Sequence, residues 1–165
     1  MKLLKYFVLT LIFLLGCSAL ILYQEDIPRD VVDARYISAD SQFSELGDLG
    51  RVHFRDEGRR QSPPIILLHG SNASLHTFEP WVTRLKDKFR VVTIDLPGHG
   101  LTGAIPSDNY SRETMVQVVN VLANKLELEP FVIGGNSMGG SVALRYALDH
   151  PRKITGLVLI NSSGF

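Results

Sequence analysis

The chain has 165 residues, enough for one domain and a short N-terminal segment. Its 17 basic and 17 acidic side chains balance, which excludes the basic excess of a nucleic-acid binder, and a 45% hydrophobic content supports a packed core. The single cysteine, Cys17, excludes an internal disulfide framework and a cysteine-based metal site.

Residues Tyr6 to Tyr23 carry no charge. As a helix this run is about 27 Å long at roughly 1.5 Å per residue, close to the roughly 30 Å of a bilayer core. Lys2 and Lys5 precede it, and Gln24, Glu25 and Asp26 follow. The positive-inside tendency then sets the amino terminus in the cytoplasm and the remainder on the extracytoplasmic side. A retained membrane anchor is the leading reading, because the run exceeds the apolar core of a cleaved signal peptide. Leu14-Leu15-Gly16-Cys17 is also similar to a bacterial lipobox, with Cys17 as the lipidated residue, and cleavage with secretion is a third reading. Residues 24–40, charged and holding Pro28, read as a linker, and residues 41–165 as the domain.

Two short strands are predicted near Ser41–Leu46 and Arg51–Arg55, with Gly47-Asp48-Leu49-Gly50 as their turn. The second alternates polar and apolar residues, as a half-exposed antiparallel strand does. Ile65–Leu68 is a continuous apolar run, the pattern of a strand buried on both faces, and it ends at His69-Gly70. A helix follows over about Phe78–Lys88, then a second buried strand, Arg90–Ile94, which ends in Asp95-Leu96-Pro97-Gly98-His99-Gly100. The next helix spans about Ser111–Leu126, with Ser111 as N-cap and Met115, Val118, Val119 and Leu122 as its apolar stripe. Phe131–Ile133 is a third buried strand, Met138–Asp149 a helix, and Leu157–Ile160 a fourth buried strand. Strand and helix alternate, which predicts an α/β fold with a mostly parallel sheet and flanking helices.

Gly135-Asn136-Ser137-Met138-Gly139 is a G-x-S-x-G motif lying directly between a buried strand and a helix. That is the context of a nucleophile elbow, a turn so tight that its flanking residues must be very small. Gly135, Gly139 and Gly140 meet that need, and Ser137 is the candidate nucleophile. The segment fits neither glycine-loop rival. Gly140-Ser141 stands where a P-loop needs Lys-Ser/Thr, and no register gives G-x-G-x-x-G. Acyl transfer also needs two donors for the oxyanion, and the N–H groups of Met138 and Ser71 are the candidates. His69 and Gly70 are read as support for that loop, and Asp95 as part of a structural turn. His53, His76 and His150 receive no catalytic role. The mechanism calls for no cofactor and no metal.

With these motifs in hand, the chain resembles the α/β-hydrolase fold family. The resemblance rests on PPIILLHGSNASLHTF, RVVTIDLPGHGLTG, FVIGGNSMGGSVALRYALDHP and GLVLINSSG, in the right order over residues 41–165. It implies the N-terminal part of that fold, from its first to about its sixth strand. Serine at 137 resembles the esterases, lipases, C–C hydrolases and peptidases, and the membrane-anchored bacterial members in particular. In the family an acid and then a histidine follow the serine. Only 28 residues follow Ser137, with His150 as their one histidine, and no Asp or Glu follows Ile160. The expectation is a truncated hydrolase lacking its acid, base and cap. It would meet a small-molecule ester-like substrate and, through residues 6–23, a membrane. Two alternatives stay open: a non-catalytic membrane-tethered remnant or binding module, and a haloperoxidase- or perhydrolase-like member.

Overall fold

The computed structural model describes residues 2–24, 26–128 and 130–164, so the expected linker residue Glu25 and the domain's last residue, Phe165, lie outside the described residues. The chain divides into two compact units, Met1–Arg35 and Tyr36–Phe165.

In the first unit, α1 spans Lys2–Leu22 and buries none of its side chains. It is long and apolar enough to cross a membrane. A short helix, α2 (Arg29–Tyr36), begins within the stretch read as a linker, with Asp30 in its first turn and Arg35 in its last. Those charges suit the two ends of the helix dipole.

The second unit is built on a six-stranded sheet. Its strands are β1 (Ser41–Glu45), β2 (Arg51–Glu57), β3 (Pro64–Leu68), β4 (Arg90–Ile94), β5 (Phe131–Asn136) and β6 (Ile154–Ile160). The order is β1-β2-β4-β3-β5-β6. β2 is antiparallel to β1 and to β4, whereas β4, β3, β5 and β6 run parallel. The helices are α3 (Glu79–Leu85), α4 (Arg112–Lys125) and α5 (Met138–Asp149).

Both faces of the sheet are covered, which is why its inner strands read as unbroken apolar runs. Ile66, Leu68, Val92, Ile94 and Ile133 pack with Met115, Val119 and Leu122 of α4 and Val142 and Tyr146 of α5. The alternate residues Ile65, Leu67 and Val91 pack on the other face with Phe78 and Val82. Ser111 caps α4, its hydroxyl accepting the Thr114 N–H at 3.3 Å.

Two strand expectations are corrected. β2 is not half-exposed, since Val52, His53, Phe54 and Arg55 are all buried. β2 lies between β1 and β4, and its inward polar side chains find partners. Arg55 donates to Glu79 at 2.7 Å and to His76 Nε2 at 3.0 Å. β6 is not fully buried either. Among the described residues it pairs only with β5, and Leu157 and Val158 remain 37% and 40% exposed. An apolar run reports composition, not how many neighbours a strand has.

Candidate active site at the carboxyl ends of the parallel strands

β4, β3 and β5 are adjacent and parallel, so the loops after their carboxyl ends converge, as ligand sites of open α/β sheets do. These loops begin with Asp95, His69 and Ser137.

Ser137 joins β5 to α5 with φ 50° and ψ −116°, a conformation that costs a non-glycine residue about 1–3 kcal/mol. Its own backbone holds it there. The Ser137 N–H donates to the Ile160 carbonyl at 3.0 Å, and its carbonyl accepts N–H bonds from Ser141 and Ser163, each at 3.2 Å. The turn closes only over glycine. A Cβ on Gly135 would collide with the Gly139 carbonyl, and one on Gly139 with the carbonyls of Leu68 and His69. Ser137 is left partly exposed at the start of α5.

The loop after β3 runs against this turn. Gly70 approaches Ser137 and Asn136 closely. Exposed Ser71 directs its hydroxyl at the Met138 sulfur, 3.5 Å away. The side chains of the two residues expected to supply oxyanion donors are thus in contact. Among the described residues, neither the Ser71 nor the Met138 N–H is engaged in a hydrogen bond.

Behind this loop lies a buried polar network. His69 is fully buried, with Nδ1 2.8 Å from the Gly70 carbonyl and Nε2 accepting the Leu96 N–H at 3.0 Å. These partners fix one tautomer, a neutral ring protonated on Nδ1. Burial pushes its pKa below the ordinary value, outweighing the Gly70 carbonyl and the Asp95 charge, which act the other way. Asp95 Oδ1 stands 3.9 Å from Nε2 without a hydrogen bond, since the ring's lone pair is already taken. The imidazole therefore ties the loop after β3 to the loop after β4.

Asp95, also fully buried, accepts the Leu75 N–H on Oδ1 at 2.7 Å, and on Oδ2 both the Leu101 N–H at 2.9 Å and His53 Nδ1 at 2.7 Å. Burial alone would raise its pKa, but the hydrogen bonds from His53, Leu75 and Leu101 outweigh it and hold the carboxylate below its ordinary range. Asp95 thus anchors the far end of the loop that carries Ser71. No chemical role for His53 was evident from the sequence. The only signal is a histidine between Val52 and Phe54 on an inner strand, where a polar ring needs a buried partner.

The other histidines stand apart. His150 caps the carboxyl end of α5, its N–H on the Tyr146 carbonyl at 2.8 Å. Thirteen residues of helical rise put it roughly 20 Å from Ser137 at about 1.5 Å per residue. His76 accepts from Arg55 and pairs with Ser74 at 3.0 Å. Pro97, Gly98, His99, Ala104 and Tyr110 line a depression of about 350 Å³, and the His99 ring lies 5.2 Å from that of His69. A second depression, of about 400 Å³, is bounded by Pro80, Trp81, Arg84 and Leu85 on α3, and none of the site residues lines it. Among the described residues, no three His, Cys, Asp or Glu side chains gather as a metal site would require.

The sequence profile of the alpha/beta hydrolase fold family matches residues 63–165. The chain belongs to the α/β-hydrolase fold family. A putative carbamate hydrolase, RutD, of Agrobacterium fabrum is 36% identical over 113 residues, 67% of this chain and 43% of its own length. A hydrolase from Pseudomonas aeruginosa superposes with a TM-score of 0.72 at 28% identity, covering 78% of this chain and 48% of its own. A membrane phospholipase A superposes with a TM-score of 0.70 at 27% identity, covering 97% of this chain and 53% of its own. The matches to the first curated relatives span only 34–43% of those proteins. Within the α/β-hydrolase fold, this chain supplies the strands and loops around Ser137.

Proposed function

We propose that this chain carries the nucleophilic half of a serine hydrolase that acts on ester or related acyl bonds. Ser137 attacks the acyl carbon. The N–H groups of Ser71 and Met138 stabilise the oxyanion, Gly70 and Gly139 give the close approach, and His69 braces the loop. The leaving alcohol departs with a proton relayed by a general base. The observation that carries this reading is the strained Ser137 turn with the loop after β3 packed against it, the Ser71 and Met138 N–H groups being left without hydrogen bonds. Strain kept at a serine on a site-forming loop supports function.

The substrate is proposed to be lipid-like, and residues 6–23 to anchor the domain to a membrane on the extracytoplasmic side. The apolar α1 supports this, as does the likeness to a membrane phospholipase A over nearly the whole chain.

The test is a fluorophosphonate probe applied to the full gene product, followed by peptide mapping. Label on the peptide bearing Ser137, lost in Ser137→Ala, supports the hydrolase. A folded protein with no label on that peptide replaces it with the non-catalytic module.

A further inference from the structure

A second serine stands in a nucleophile's setting, on the other side of Asp95. Ser41 opens the edge strand β1 and is half-buried. Its Oγ lies 2.9 Å from His53 Nε2, and His53 Nδ1 lies 2.7 Å from Asp95 Oδ2. His53 and Asp95 are both fully buried. Phe43, across the strand pair, packs its ring 5.0 Å from the imidazole.

The direction of each bond follows from the groups. Asp95 is an ionised acceptor that also holds two backbone N–H groups, so Nδ1 carries the imidazole proton and donates to it. In the neutral ring Nε2 then offers its lone pair, and the Ser41 hydroxyl donates to it. The Ser38 N–H donates to the Ser41 oxygen at 3.1 Å, which fixes the hydroxyl's position and leaves its proton for Nε2. Nucleophile, base and orienting acid are in hydrogen-bond contact in the order that activates a serine. The carboxylate also stabilises the imidazolium that forms when the proton moves. A ring buried only for packing needs a partner for each nitrogen. It does not need the second partner to be a hydroxyl at the solvent edge, already held by a backbone donor.

We propose that Ser41 is a second reactive serine of this domain, with His53 as its base and Asp95 as the acid that orients His53, and that it accepts acyl groups from small activated esters. The Oγ–C bond forms, the bond from carbon to the leaving oxygen breaks, and the hydroxyl proton passes through His53 Nε2 to the departing alcohol. With a fluorophosphonate the Oγ–P bond forms, fluoride leaves and the proton stays on His53.

The experiment uses the Ser137→Ala form of the full chain, so that label at the first site is absent. The protein is treated with a fluorophosphonate, and modification is mapped within the tryptic peptide spanning residues 36–51. Label is expected on Ser41 at a rate about 10²–10⁴ times that on exposed Ser107, the range a positioned base supplies. Ser41→Ala removes it, and His53→Gln, which keeps a hydrogen-bonding side chain, slows it by the same factor. Circular dichroism establishes that each variant is folded. Absence of label on Ser41 in the folded protein, or label that His53→Gln leaves unchanged, overturns the proposal. The Ser137 reading stands or falls separately, because its label lies on a different peptide.

Discussion

A Cβ built on Gly70 would stand 3.2 Å from the Cβ of Ser137 and 2.9 Å from the side-chain oxygen of Asn136. The loop after β3 is therefore seated against the elbow with no room for a methyl group. Asn136 does not yield freely, since its amide donates to the Ile160 carbonyl at 3.3 Å. Gly70→Ala is expected to push the loop that carries Ser71 away from the Ser137 turn. The fold should lose about 1–3 kcal/mol, the usual cost of overpacking. Labelling at Ser137 should slow by up to about 10²-fold, because small displacements of a reacting geometry are costly. Equal labelling rates in the two proteins would show that Gly70 sets packing alone.

Ser137 holds a backbone conformation that glycine adopts without penalty. Ser137→Gly is expected to leave the domain more stable by about 1 kcal/mol, part of the strain being offset by the freer unfolded chain. Ser137→Ala keeps the Cβ and should gain nothing. Urea unfolding of the three proteins measures the difference. A Ser137→Gly protein no more stable than Ser137→Ala would mean that the turn is not strained.

The fold was readable because both-face burial leaves a plain mark. Ile65–Leu68 and Arg90–Ile94 are apolar runs bounded by polar loops, and their alternation with helices dictates a parallel sheet. Ser137 was readable because the elbow demands glycine on both sides. The buried network was not. His53 and Asp95 are 42 residues apart, and nothing local to either names the other. The alternation in β2 resembles a solvent-facing strand because a histidine and an arginine read as polar whether they meet water or a buried partner. Arg55 and His53 are inside because distant segments cover them, with Asp95 and Ser41 meeting His53 and Glu79 and His76 meeting Arg55. That is a property of topology, which a local pattern does not carry.

At the opposite end of the parallel strands from Ser137, Arg90 clamps Asp56 through two bonds, Nε to Oδ1 at 2.9 Å and Nη2 to Oδ2 at 2.7 Å. Both side chains are nearly fully buried. The Asp56 hydrogen bond, reinforced by its charge, raises the Arg90 pKa against the opposing cost of burial, so the guanidinium stays charged. Asp56→Ala leaves that charge buried without its partner, a change that costs about 3–5 kcal/mol. The midpoint of urea unfolding should fall accordingly. In the fraction that remains folded, the labelling rate at Ser137 should match the parent, because the pair touches none of the loops around it. A parallel loss of labelling per folded molecule would join the two ends of the sheet functionally.

His69 makes the domain sensitive to mild acid, and the sign is fixed by its environment. Burial depresses its pKa below the ordinary 6.5, so in the window just below that value the unfolded chain binds a proton that the native ring refuses. The stability tied to a neutral His69 is whole above about pH 6.5 and is lost as pH falls toward the depressed value. Below that value both states hold the proton and the loss stops. The slope within the window is at most about 1.4 kcal/mol per pH unit for one proton. Asp95 acts in the same direction but later, because its depressed pKa sets its window below 3.8. His69→Gln can still accept the Leu96 N–H and donate to the Gly70 carbonyl, but it cannot titrate. The variant should be less stable at pH 8, and between pH 7 and 5 its stability should fall less steeply than the parent's. Urea midpoints measured across that range decide the matter, and parallel curves would assign the acid sensitivity to another group.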